Sequence, residues 1–221
     1  MDLDSESDGM VKAKLHNLRR LIPLFLTFLI LFEAAAYTAI TPRPQEKFFE
    51  LYVLGPNKLA SSYYPHNSSF ITIGEPVTWY LEVHNEMGSI QFIDLRIKLG
   101  NETISPPNDT TASPSPAPLV TEIKRFIPDN ATWELPFIWQ ILNFTTSSRG
   151  YSHVQFMIGN TTYSLENAPG CSSHNSCKFR LIFELWTWNI ASDSFQMGWG
   201  NGAQQEIAWL QLWFNLTPGA H

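Results

Sequence analysis

Apolar positions along this chain follow two different periods, and the change between them divides the molecule. From Leu21 to Ile40 the sequence LIPLFLTFLILFEAAAYTAI is apolar except for Glu33, Thr27 and Thr38. Arg19 and Arg20 precede this run, and Pro42, Arg43 and Pro44 close it. As a helix it would rise about 30 Å, the hydrocarbon thickness of a bilayer, so it predicts one transmembrane helix. Beyond Pro44 the period becomes two. Phe49, Leu51 and Val53 alternate with other positions in Phe48–Leu54. Val77, Trp79, Leu81 and Val83 do the same in Val77–His84, as do Ile93, Leu95, Ile97 and Leu99 in Ile90–Leu99. Such alternation predicts half-buried strands.

Further strands are predicted at Leu119–Ile127, Tyr151–Ile158, Thr161–Leu165, Lys178–Asn189 and Glu206–Thr217. Gly159-Asn160 between two of them is a two-residue hairpin signal. The Asn85–Gly88 turn predicts that Val77–His84 and Ile90–Leu99 pair as an antiparallel hairpin. Ala131–Leu142 is ambiguous, because Pro136 argues against both a central strand and an uninterrupted helix. Ala60–Ile73 is polar and aromatic. Gly100–Pro118 holds five prolines and several Ser and Thr, and predicts a mobile surface loop too polar to pack. Ile190–Gln204 is a glycine-bearing loop. About eight short strands without helical periodicity predict a mainly β fold. The expected architecture is an antiparallel, immunoglobulin-like β-sandwich preceded by one transmembrane helix. Residues 1–20 form a short cytoplasmic tail, 21–40 the anchor, and 41–221 the extracellular domain, with its Pro/Ser/Thr-rich loop at about 101–118.

Charge sets the orientation. Lys12, Lys14, Arg19 and Arg20 lie before the span, against Arg43 and Lys47 just after it, so the N-terminus is expected in the cytoplasm. A basic segment, the apolar run to Phe32 and the small residues Ala34–Ala36 also resemble a cleavable signal peptide, but the apolar run continues to Ile40, which favours an uncleaved anchor. Both readings export the domain. Asn67, Asn101, Asn108, Asn130, Asn143, Asn160 and Asn215 each open an Asn-x-Ser/Thr triplet, an acceptor for glycans in an exported chain. Asn160 and Asn215 lie close to strands and are expected to be the poorer sites. The two cysteines, Cys171 and Cys177, fall in one loop and predict a local disulfide. A formal net charge of −6 argues against a nucleic-acid partner.

Candidate chemistry is sparse. Cys171, His174 and Cys177 form C-x2-H-x2-C, but a structural zinc site needs a fourth ligand, and the spacing favours a disulfide with His174 a bystander. His66, His84, His153 and His174 have no ligand spacing, and two of them fall on outward strand faces. Glu82, Glu86 and Asp94 read as the polar face of a hairpin rather than a glycosidase carboxylate pair. Nucleophile-elbow, zincin and phosphate-loop motifs do not occur, so no catalytic residue, metal or cofactor is assigned. The aromatic surplus is more informative. Trp209 and Trp213 oppose the apolar face of the last strand, and Trp186 and Trp188 share a face with Arg180 and Glu184. Either a partner covers that face, such as a protein, a glycan or the lipid headgroups, or a loop of the same domain does, with Ala131–Leu142 a candidate.

Several segments together resemble an archaeal family of predicted membrane proteins, domain of unknown function 1616. They are Glu46–Pro65, Ile71–Pro76, Leu81–Phe92, Lys178–Trp186 and Ala208–Leu216, in that order and spacing. The resemblance implies an outward-facing domain in an archaeal cell envelope and carries no functional residue with it. This chain departs from the pattern in having one span rather than several, and in its His84-Asn85-Glu86 turn. The expected function is a non-enzymatic, membrane-anchored surface protein that binds another envelope protein or a glycan. The alternatives are an accessory subunit of a larger membrane enzyme or transport complex, with Glu33 important, and an extracytoplasmic metal or redox domain.

Overall fold

A computed structural model describes residues 4–41, 46–146, 152–171, 177–200 and 205–217. The chain divides into two units, Met1–Gln45 and Glu46–His221.

The first unit is a single helix, α1, Asp4–Ile40. It runs through the expected tail as well as the span, and through Pro23. The hydroxyls of Thr27, Thr38 and Thr41 donate to the carbonyls of Pro23, Ala35 and Tyr37. Those bonds return polar groups to the helix's own backbone, which an apolar solvent requires. Every large apolar side chain from Leu21 to Ile40 is exposed. One helix with this length and composition is suited to crossing a membrane, or to serving as a signal sequence.

The second unit is a mainly β sandwich. Its strands are β1 (Phe48–Leu54), β2 (Phe70–Thr72), β3 (Val77–Glu86), β4 (Gln91–Asn101), β5 (Leu119–Ile127) and β6 (Ala131–Thr146). They continue with β7 (Ser152–Ile158), β8 (Thr161–Ala168), β9 (Cys177–Asn189), β10 (Ser194–Met197) and β11 (Trp209–Thr217). The first sheet has the order β1-β3-β6-β7-β8, and the second β2-β11-β9-β4-β5, with β10 pairing β9. At the margins β1 lies against β11 and β5 against β8. The two-layer architecture is as expected, with more strands than the roughly seven to nine of immunoglobulin domains. β2 and β11 pair in parallel, Asn215 beside Phe70, an exception to the antiparallel rule.

The inward set is the alternating one. Val77, Trp79, Leu81 and Val83 of β3 face Leu95, Ile97 and Leu99 of β4 and Phe179, Leu181 and Phe183 of β9, all buried. Trp79 joins the layers: its ring lies 5.1 Å from Trp139 in its own sheet and 6.1 Å from Phe183 in the other. A smaller cluster of Phe49, Val83, Ile93, Ile127, Leu185 and Trp199 closes the end where the chain enters. There Gly198, at φ +74, lets Glu206 pass so closely that a Cβ would lie 1.9 Å from its carbonyl oxygen. Trp199 pairs with Glu206 through reciprocal backbone bonds.

Several expectations are corrected. β3 and β4 do not form a hairpin; they belong to different sheets. Both edges of β3 are occupied, by β1 and β6. Alternation fixes which side chains turn inward, and it does so equally for a hairpin and for two facing strands. The crossing is held by buried Asn85, whose Nδ2 donates to the carbonyls of Ser89, Ile127 and Pro128 while its Oδ1 accepts from Met87 N–H. Ala131–Leu142 lies within one long strand. Pro136 is tolerated because β7 pairs with β6 only from Trp139 onward, so the edge away from β3 is free at Pro136. β10 lies in a segment expected to be loop, and β2 in the polar and aromatic stretch Ala60–Ile73, for which no strand is predicted.

Candidate interaction face

Along β9 both faces are buried. Cys177, Phe179, Leu181, Phe183 and Leu185 enter the core, while Arg180, Ile182 and Glu184 on the other face are covered as well. The cover is the segment from Glu102 to Pro118. Glu184 accepts from Lys98 Nζ at 2.9 Å, Ser115 N–H at 2.8 Å and Trp186 Nε1 at 3.1 Å. Lys98 also donates to the Ser115 carbonyl at 2.7 Å. The Arg180 guanidinium donates to the Ile104 carbonyl and to Gln211 Oε1. Asp109 accepts from Trp209 Nε1 at 2.7 Å. The Gly100–Pro118 loop therefore packs, contrary to expectation, because its partners are its own backbone amides and carbonyls, which residue polarity does not reveal. It is this loop and β10, not Ala131–Leu142, that lie on the tryptophan face.

The four tryptophans singled out by the sequence are all half-buried on the outer face of the second sheet. Trp186 lies under the Arg96 guanidinium, 3.7 Å from its ring centre. Trp213 lies under Arg180 and Lys178, at 4.7 and 5.1 Å. Trp209 is fastened to Asp109, and Trp188 packs edge-on against Phe195 with centroids 5.0 Å apart. Cation–ring stacking and these bonds hold the rings in fixed orientations. Between the rings runs a charged row. Arg96 Nε donates to buried Asp94 at 2.9 Å, and Asp94 Oδ1 has no partner. Burial raises the Asp94 carboxyl above its usual range, opposed by Arg96. Burial likewise lowers the Arg180 guanidinium. Sequence reasoning missed Phe92, Phe126 and Phe195, although the first two sit at outward positions of their strands.

The remaining candidates are dispersed. Cys171 and Cys177 are joined in a disulfide, so neither sulfur is a free thiolate ligand. Closing so short a loop contributes about 2 kcal/mol by the chain-entropy relation. His174 lies outside the described residues. His66 faces Glu75 at 3.6 Å, His84 bonds Thr132 and Glu86, each at 2.8 Å, and His153 meets Glu166 at 3.2 Å. No group of three or more His, Cys, Asp or Glu able to hold a metal occurs among the described residues. Glu82 belongs to the first sheet and Asp94 to the second, each on its outer face, so they do not form a catalytic pair. Among the asparagines of the Asn-x-Ser/Thr triplets, Asn67, Asn108, Asn130, Asn143 and Asn160 are exposed and Asn215 is half-buried. Asn101 is 5% exposed; its Nδ2 donates to the Gly170 carbonyl and its Oδ1 accepts from Thr103 and Ile104.

Comparison with protein-family models finds no match for this chain, and comparison with curated proteins finds none.

Proposed function

We propose that this chain is a single-span membrane protein that holds a glycosylated, disulfide-closed β-sandwich outside the cell. It acts by binding another envelope protein or a glycan rather than by catalysis. The N-terminus is cytoplasmic, and an archaeal cell envelope is the setting that the resemblance noted above supports. The observation that carries the binding reading is the set of half-buried tryptophans on the second sheet, held by Arg96, Arg180, Lys178 and Asp109. Rings fixed before contact lose little freedom on binding, and tryptophans of this kind dominate interface energetics.

Three measurements test it. A protease applied to intact cells should remove residues beyond the span, and glycopeptide mapping should find sugar on Asn67 and Asn143 but not on buried Asn101. Protection of the domain until the membrane is opened would end the export reading. Alanine at Trp213 and Trp186 should abolish crosslinking to an envelope partner while the disulfide and secondary structure persist; undiminished crosslinking would reject the tryptophan face.

A second reading, an accessory subunit of a membrane complex, draws support from the wholly exposed apolar surface of Leu21–Ile40 and from Glu33 within it. Replacing the span with an unrelated one should then abolish assembly, whereas the binding role would survive.

A further inference from the structure

The outer face of the second sheet changes character at the end where the chain enters the domain. Four rings cross it as one row, from Phe126 on β5 through Phe92 on β4 and Trp188 on β9 to Phe195 on β10. Phe92 stacks on Phe126 at 4.3 Å and meets Phe195 at 5.1 Å, and Trp188 meets Phe195 at 5.0 Å. The covering loop is fastened farther along the strands, at Lys98, Arg180, Glu184 and Trp209. Phe126 is 61% exposed, and the flanking turns carry Ile90 at 62% and Ile190 at 89%. Aromatic rings beside exposed isoleucines form an apolar margin of unusual bulk for a water-facing domain.

This end is also where the polypeptide arrives. Phe48 opens β1 opposite Glu86, the last residue of β3, and Trp199 Nε1 donates to the Lys47 carbonyl at 3.1 Å. Four residues separate Thr41 from Glu46. Fully extended, that link reaches about 17 Å. In contrast, Asn67, Asn101, Asn143 and Asn215 lie toward the other end, where β4 finishes and β11 pairs with β2. Asn130 is at the entry end, in the turn between β5 and β6.

We propose that this aromatic end rests on the lipid interface of the membrane spanned by the chain's own helix. The proposal depends on the anchored reading above. Rings and branched apolar side chains partition into the headgroup boundary, where one side is greasy and the other wet. Charge contributes little. Lys124 lies 5.5 Å over the Phe195 ring but is paired with Glu122, and Asp129 and Asp193 sit on the neighbouring turns. A neutral phosphatidylcholine surface is therefore sufficient, and docking is insensitive to salt. Docking would turn the sandwich so that its far end, with the acceptors Asn67, Asn143 and Asn215, points away from the cell.

The test uses the full chain in phosphatidylcholine vesicles. Both native cysteines are engaged in the disulfide, so one introduced thiol can carry an environment-sensitive fluorophore. Labels are placed at Ile190→Cys, at Phe28→Cys within the span and at Asn143→Cys at the far end. Nitroxide-bearing lipid should quench the Phe28 and Ile190 labels and leave the Asn143 label bright. Adding Ile90→Asp and Phe126→Asp, both at exposed positions, should remove quenching at Ile190 but not at Phe28. Quenching at Phe28 without quenching at Ile190 overturns the docking and leaves the anchor intact. A bright Phe28 label overturns the anchor, and the docking with it. A blue-shifted but unquenched Ile190 label overturns the proposal in favour of contact with a second copy or another protein.

Discussion

On the outer face of the first sheet, Glu50, Glu82, His84 and Glu134 stand at or near solvent, and Glu134 pairs with Lys58 at 2.8 Å across that surface. On the outer face of the second sheet, Asp94, Lys98, Arg180 and Glu184 occupy equivalent outward positions and are buried. The alternation along the strands is the same in both. What differs is that a polypeptide segment crosses one face and not the other. Its amides and carbonyls replace water as partners for Lys98, Arg180 and Glu184, whereas Asp94 is met by Arg96 and keeps one oxygen without a partner. Outward charge therefore signifies solvent only where nothing crosses it.

The largest effect should come from removing one member of the enclosed pair. Glu184→Ala leaves Lys98 uncompensated and should cost about 3–5 kcal/mol. Glu82→Ala on the open face should change stability by less than about 0.5 kcal/mol. Denaturant titration of the full chain measures both; equal values would erase the distinction between the faces. The double change Lys98→Met with Glu184→Leu should recover most of the loss, since apolar side chains do not leave a bare charge behind.

A smaller effect is expected where the cover is fastened from above. Trp209→Phe removes the bond to Asp109 and should cost about 1 kcal/mol. Amide exchange should quicken within residues 102–118 and stay unchanged in β3 and β6. Uniform acceleration across the domain would mean that Trp209 supports the whole fold rather than the cover.

The smallest effect concerns Asp94, which faces Arg96, Glu122, Lys124 and Trp186. Burial raises its carboxyl in the folded state, so the fold binds that proton more tightly than the unfolded chain does. Its contribution to stability is therefore best at low pH and declines as pH rises from about 4, the unfolded value, through the raised one. Asp94→Asn should flatten that decline and leave stability at neutral pH unchanged or slightly higher. An unchanged pH profile in the variant would place the titration elsewhere.

Much of the fold was legible where one face of a strand is dry and the other wet. β1, β5 and β7 lie at or within one residue of the expected bounds, and the Gly159-Asn160 hairpin is present with Gly159 at positive φ. Sheet membership was not legible, because Val77–Glu86 and Gln91–Asn101 would turn the same residues inward in either arrangement. Pro136 obscured β6, since the freedom it exploits depends on where a different strand begins. The tryptophans were visible as a surplus, but their holders were not: Arg96 and Asp109 are distant in sequence from the rings they meet. Ser115 gave no sign at all, because its bonds to Glu184 and Lys98 run through its backbone.

β9 sits between β4 and β11, and β11 in turn carries β2 on its free edge. A nascent chain presents β4 and β9 well before β11 emerges, so the first sheet can assemble from residues up to Ala168 while the second waits for Thr217. Until then β9 shows an unpaired border, and Ile71 lacks Leu216 as its ladder neighbour. Synthesis halted short of β11 should thus leave a half-built domain with a sticky rim, dependent on holding factors until its final strand arrives.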